Sequence, residues 1–431
     1  MQQMLTLELQ IAERAKKFNN EPLTNLSQYI TTDLLHQSFR ELNKYSRAGV
    51  DGRTWFDYGL QAAENLLVLL DRFKAGSYTA PHIRRVYIPK GKTGKRPLGI
   101  PTIEDKVLQS SVRKVLDPIY ETIFKDFSYG FRKNFSCHQA IEEMFQKVSF
   151  GNMRYVIDAD IQNYFGSINH GIIREFLDLR VKDGVIRKML DKWMKAGILE
   201  DKQLIHPKEG TPQGGIVSPL LSNIYLHYVL DEWFSEEIQP LLNGKSFMVR
   251  YADDFVMGFE YLEDTRRVFE VLNKRFAKYA LTIHPDKTKI IDLNKNDRGN
   301  RSFDFLGFTH FMGKTRKGKL VLKRKTSTKK LTVALTKTGD WIKRHRHERL
   351  AVLIFQLNVK LRGHYSYYGI TFNLRSLKQF HRQVERLLFK WLNRRGGKRV
   401  WQWERYTKLI NEWSPLLKPR IFHSYLSAKP I

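Results

Sequence analysis

The spacing of apolar and polar positions divides the chain into stretches of different period. Through residues 1–80 apolar residues recur every three or four positions, most clearly over 30–45 and 59–73, which predicts amphipathic helices. Gly49-Val50-Asp51-Gly52 reads as a loop between them. The period then shortens to two. Residues 84–90 alternate as a strand, 91–96 form a glycine-spaced basic turn, and 97–103 read as the returning strand. Helical spacing resumes over 105–119 and 137–147. Residues 155–161 form an apolar strand interrupted at alternate positions by Asp158 and Asp160, which share a face if the strand is regular.

A Gly/Pro loop at 210–217 leads into a segment read as an amphipathic helix over 220–234, with Ser218 as N-cap and Pro219 in the first turn. Two apolar runs, 246–249 and 255–259, flank Arg250-Tyr251-Ala252-Asp253-Asp254 and predict a hairpin with the Asp pair at its tip. A helix over 265–279 with Asp264 as N-cap follows, then a strand at 281–291 broken by a turn, and a short strand at 303–308. Helices over 353–368 and 374–394 close the chain.

Charge narrows the class. The 431 residues carry 74 Lys and Arg against 44 Asp and Glu, a net charge of +30. That excess calls for a polyanionic partner, nucleic acid before a membrane surface. Hydrophobic residues are 42% of the chain, enough for a folded protein of two or three domains. No apolar run reaches the length of a spanning helix, and the N-terminus lacks a signal-peptide core. The single cysteine, Cys137, excludes an intramolecular disulfide and any multi-cysteine zinc module. A cytosolic compartment fits, bacterial or organellar. Residues 312–350 hold 14 Lys and Arg against Asp340 and Glu348. Beyond them arginines interleave with aromatics, a composition suited to RNA through phosphate pairing and base stacking.

The candidate chemistry lies in the acidic positions. An Asp-Asp pair alone is more often a polar turn than a site. An Asp inside an apolar strand, however, needs a partner, a metal ion or an arginine. A sheet that joins Asp160 to Asp253 and Asp254 makes a three-carboxylate centre. Such a centre can hold two Mg²⁺ ions about 3.5–4 Å apart for in-line phosphoryl transfer. Lys90 and Arg96 on the basic hairpin are candidate hydrogen-bond donors to phosphates.

Tyr-Ala-Asp-Asp at 251–254 with Asp160-Ile-Gln-Asn-Tyr-Phe165 upstream resembles the palm of reverse transcriptases. Four further pieces narrow the resemblance to group II intron-encoded reverse transcriptase/maturases: Ile-Pro-Lys…Arg-Pro-Leu-Gly-Ile-Pro at 88–101, Tyr-Gly-Phe-Arg at 129–132, Gly-Thr-Pro-Gln-Gly-Gly…Ser-Pro-Leu-Leu at 210–221 and Phe-Leu-Gly-Phe at 305–308. Leu-Arg-Gly-His-Tyr…Tyr-Tyr at 361–368 resembles that family's thumb, or X, domain. The match spans roughly residues 45–425.

The resemblance implies an α+β right-hand polymerase: fingers, an antiparallel palm sheet and a mainly α-helical thumb. It divides the chain into a helical N-terminal extension at 1–80, fingers and palm at 81–310, and thumb/X domain at 311–431. It implies RNA-templated DNA synthesis with two Mg²⁺ ions, Mn²⁺ being a substitute. Asp160, Asp253 and Asp254 would be the metal ligands. Phe165 would be the ring that rejects a 2′-hydroxyl. Gln213, Lys90 and Arg96 would touch the incoming dNTP, and Lys287 would serve as a proton donor to pyrophosphate. Asp158 reads as structural.

The implied partners are structured intron RNA, an RNA template with a DNA primer, dNTPs and target DNA, with no membrane; oligomeric state stays open. Lys323, Arg324, Lys325, Lys329 and Lys330 are the candidate RNA contacts, the alternative being a solvated linker. Many members carry a zinc-bound nuclease domain after the thumb. With one cysteine, this chain is expected to polymerise without cutting. A domesticated relative in CRISPR spacer acquisition or phage defence, or a maturase that only binds RNA, shares these features.

Overall fold

The computed structural model describes residues 2–19, 21–90, 94–200, 203–205, 209–211, 214–294, 301–396, 402–413 and 415–425. Four helices come first, Gln2–Lys17, Thr32–Glu41, Trp55–Gly59 and Ala62–Lys74. Their starts are written in the sequence: Thr31 accepts from the Leu34 amide, and Thr54 and Asp57 close a reciprocal capping box.

Eleven strands follow among the described residues: β1 (Ile83–Lys90), β2 (Gly94–Ile100), β3 (Tyr155–Asp160), β4 (Ile198–Glu200), β5 (Gln203–Ile205), β6 (Ser246–Tyr251), β7 (Asp254–Phe259), β8 (Lys289–Asp292), β9 (Ser302–Phe305), β10 (Phe308–Lys314) and β11 (Leu320–Thr326). They form three sheets in the orders β2-β1-β4-β5, β6-β7-β3-β8 and β11-β10-β9. Pairing is antiparallel except for the short β1–β4 contact.

The central sheet β6-β7-β3-β8 is covered on both faces, as its near-continuous apolar strands require. Ile157, Ala159, Met248 and Met257 join a core shared with the helices Ile103–Tyr120, Ser218–Leu226 and Leu262–Lys278. Val156, Val249 and Val256 pack toward the helix Cys137–Phe150 and the β9–β11 sheet, which contributes Phe303, Phe305 and Phe308. A third core joins the helices Thr328–His345, Leu350–Tyr368 and Leu374–Leu392 through Ile342, Leu357, Leu361 and Val384. No described helix is long and apolar enough to cross a membrane.

Three expectations change. The helix after the Gly/Pro loop runs Ser218–Leu226, is capped at Val217 without a side-chain bond, and continues in π-helical form to Ile238. It is buried rather than amphipathic, because Ser222, Asn223, His227 and Asp231 are inside. Asp264 lies within the helix Leu262–Lys278, buried, and accepts from the Asn243 and Gly244 amides instead of capping. The boundary expected at 311 falls inside β10; the sheet continues to Thr326, and helices begin at Thr328.

Candidate active site

Register brings the acidic positions together. In the β3–β7 pair Asp160 stands directly opposite Asp254. In the β6–β7 hairpin Tyr251 stands opposite Asp254, which leaves Ala252 and Asp253 as a two-residue turn. Ala252 has φ 57°, a left-handed conformation that costs a non-glycine residue roughly 1–2 kcal/mol. Side chains directly opposite in an antiparallel pair lie about 4.5–5.5 Å apart at Cβ. Two strand ends and one turn thus gather Asp160, Asp253 and Asp254 at one end of the sheet.

Asp158 and Asp160 share a face, as alternation predicts, and both line a cleft of about 460 Å³ with Asp254, Asp286, Lys287 and Asp304. The crowding shows in the proton affinities. Burial, then the neighbouring Asp253 and Asp160 charges, push the Asp254 carboxyl up, opposed by Lys330 and Lys287. Asp254 stays exposed while lining the cleft. Asp253 is raised by burial and by Asp160, against Arg96 and Arg250. Asp158 is pushed up to about 7 by burial, with Lys289 opposing and Asp254, Asp304 and Asp160 adding.

Asp160 is ion-paired through Oδ2 with the Lys287 ammonium. Among the described residues no three His, Cys, Asp or Glu side chains converge closely enough to hold a metal ion by themselves. The donors are all oxygens and they repel one another. Mg²⁺ takes only one or two protein carboxylates and completes its shell with water and substrate phosphates. The donor set therefore fits a cation that is shared with a phosphate-bearing substrate.

The remaining expected residues surround this centre unevenly. Arg96, on β2 opposite Ile88, is exposed, and its charge acts on Asp253, so the basic hairpin reaches the acidic turn. The backbone of Lys90 pairs with Gly94, while its side chain lies outside the described residues. Gln213 also lies outside them. Phe165 sits in the one-turn helix Tyr164–Ser167 just past β3, almost wholly buried. Its carbonyl accepts from the Thr211 amide at 2.8 Å, so the Gly/Pro loop rests on it. The far side of that loop is held by Gln109, whose Oε1 accepts from the Ile216 amide at 2.7 Å. Gly214, at φ 119°, leaves no space for a side chain: a Cβ there would meet the Gly99 carbonyl oxygen at 2.2 Å.

The basic run divides by strand alternation. Lys323 and Lys325 lie on the outer face of β11, with their ammonium groups 5.5 and 5.9 Å from the Phe372 and Phe311 rings. Arg324 points the other way and is corrected as an RNA contact. It is 1% exposed, stacked between Phe145 and Tyr425 at 5.0 and 4.9 Å. Lys329 and Lys330 open the helix Thr328–His345 and are exposed. A cation in the first turn opposes the helix dipole; the Lys330 charge is felt instead by Asp254. Nothing in the sequence pattern signals that proximity.

The helical segment is tied to the same centre. Tyr367 Oη donates to the Leu306 carbonyl at 2.9 Å, and the Tyr368 hydroxyl faces Gly307, so the 361–368 motif grips the turn between β9 and β10.

Residues 88–310, just over half the chain, match the family model described as reverse transcriptase (RNA-dependent DNA polymerase), and the chain belongs to that family. Within it, its relatives include group II intron-encoded proteins. The chain is 35% identical over 221 residues to the group II intron-encoded protein LtrA of Lactococcus lactis subsp. cremoris, covering 50% of this chain and 36% of that protein. It is 32% identical over 308 residues to the protein YkfC of Escherichia coli K12, covering 63% of this chain and 78% of YkfC. It is 32% identical over 228 residues to a 91 kDa protein in the cob intron of Schizosaccharomyces pombe, covering 53% and 28%. The match spans little more than a third of LtrA's length.

Proposed function

We propose that this chain is an RNA-directed DNA polymerase that also binds a group II intron RNA and assists its splicing. The observation that carries the reading is the carboxylate set: Asp160 opposite Asp254, with Asp253 on the adjoining turn. In this reading the central sheet is the palm, the β1–β2 hairpin belongs to the fingers, and the helices from Thr328 onward form the thumb.

Two divalent cations, Mg²⁺ or Mn²⁺, held by Asp160, Asp253 and Asp254, would make the primer 3′-hydroxyl a better nucleophile and neutralise the triphosphate. The chain's own groups do the rest. Arg96, and Lys90 beside it on the hairpin, pair with the dNTP phosphates. The Phe165 ring closes the space a ribose 2′-hydroxyl would need, and Gln213 meets the nucleotide and template. Lys287, ion-paired with Asp160 in the free chain, would pass a proton to the leaving pyrophosphate. Lys323, Lys325, Lys329 and Lys330 contact RNA phosphates. Structured intron RNA, an RNA template with a DNA primer, and target DNA are the partners this reading assigns.

The test is extension of a DNA primer on an RNA template by the purified chain with dNTPs and Mg²⁺. Extension is expected; none in either Mg²⁺ or Mn²⁺ refutes the reading.

A further inference from the structure

Arg250, three residues before Asp253, is entirely buried although its side chain is a guanidinium. Its guanidinium forms a fork with Asp231, which is also fully buried: Nε donates to Oδ1 at 2.7 Å and Nη2 to Oδ2. Its Nη1 donates to Asn223 Oδ1 at 3.1 Å and to the Ala252 carbonyl at 3.0 Å. Asn223 in turn donates to the Gly130 carbonyl at 2.7 Å. The Arg250 backbone is held as well, by the Phe127 carbonyl and the Tyr129 amide, each at 2.8 Å.

This network ends on the one residue of the turn with strained backbone. Ala252 is left-handed, and the carbonyl that Arg250 holds is the one joining it to Asp253. Gly130, which Asn223 links to Arg250, lies so close that a Cβ would sit 2.2 Å from the Ala252 nitrogen. The turn is thus packed against the Gly130 backbone and held by a buried guanidinium whose own hydrogen bonds fix its place. A buried ion pair usually contributes little net stability against apolar residues of equal volume. Its use here is geometric.

We propose that Arg250, braced by Asp231 and Asn223, is a positioning residue that fixes the Ala252–Asp253 peptide and so aims Asp253 at the metal-binding centre. The inference rests on the polymerase reading. Partners one step behind metal ligands typically change metal affinity or activity by about 10–100-fold when lost.

The test uses the full chain with Arg250→Met and Asp231→Leu together, which keeps volume and leaves no unpaired charge. Mn²⁺ is titrated by electron paramagnetic resonance into a complex with a chain-terminated primer, RNA template and the next dNTP, where no chemistry occurs. Mn²⁺ affinity should fall about tenfold or more and the single-nucleotide rate about 100-fold, with primer–template affinity within about twofold. Should the double variant not fold, Asn223→Leu, which leaves the ion pair intact, should move both quantities the same way by a smaller factor. A folded variant of either kind with unchanged Mn²⁺ affinity and rate overturns the role of Arg250. A wild-type chain that extends no primer overturns the polymerase reading instead.

Discussion

Replacing Gly130 by alanine probes the geometry of the acidic turn with a single methyl group. The new Cβ would lie 2.2 Å from the Ala252 nitrogen and 2.9 Å from both Ala252 Cα and the Tyr251 carbonyl carbon, where ordinary contact begins near 3.4 Å. The atoms met are backbone, so no rotamer change relieves the clash; the turn must move by about 1 Å. Overpacking of this kind costs about 1–3 kcal/mol of stability, which a chain of this size tolerates near room temperature. The effect on chemistry is larger. A misplacement of about 1 Å at a reacting centre can cost about 10²-fold in rate. Single-turnover addition of one dNTP should therefore slow roughly 100-fold, while affinity for the primer–template and the circular dichroism spectrum stay close to wild type. Gly130→Ala protein that folds and adds nucleotides at the wild-type rate would show that the turn is not the reacting element.

Phe165→Ala should open the space beside the ribose and admit ribonucleotides; unchanged discrimination between dNTPs and rNTPs in a competition assay removes its gate role. Replacing Lys323, Lys325 and Lys329 by alanine should lower the slope of log affinity against log salt by about 1 for each lysine that touches a phosphate; an unchanged slope places the RNA elsewhere. Asp105 gives a pH prediction. Burial pushes its carboxyl up from 3.8 to about 6, against hydrogen bonds from Trp193, Gln109 and Tyr78. The folded chain then keeps a proton that the unfolded chain releases, so this stabilisation is complete below the unfolded value and is lost as pH rises through the folded one. Relative to Asp105→Asn, the wild type should lose about 2 kcal/mol between pH 4 and 7 in urea unfolding; a constant difference across that range contradicts it.

The acidic centre was legible because strand alternation and hairpin position are both local properties. Two apolar runs around Asp253-Asp254, and carboxylates at alternate positions of β3, specify which residues share a face before any long-range contact is known. What the pattern could not carry was which charges go inside. Arg324 reads as one of a solvated run, yet as a strand residue between Lys323 and Lys325 it must face the opposite way. The rings that receive it, Phe145 and Tyr425, stand 280 positions apart in the sequence. Ser222, Asn223, His227 and Asp231 look like a solvent face by helical spacing. They are buried because Asn223 and Asp231 meet Arg250 on the neighbouring sheet. Asp264 resembles an N-cap, but the amides it satisfies belong to a loop twenty residues upstream. The nearness of Lys330 to Asp254 depends on how the β9–β11 sheet folds back on the cleft, and spacing says nothing of that.

The central claim is that Asp160, Asp253 and Asp254 form a polymerising centre. Its most direct test is extension of a DNA primer on RNA by the chain with Asp253→Ala and Asp254→Ala together, beside the wild type, in Mg²⁺ and in Mn²⁺. The account predicts that the double variant folds, binds the primer–template as the wild type does, and adds no nucleotide with either ion. Extension by the double variant at a rate near that of the wild type would contradict it.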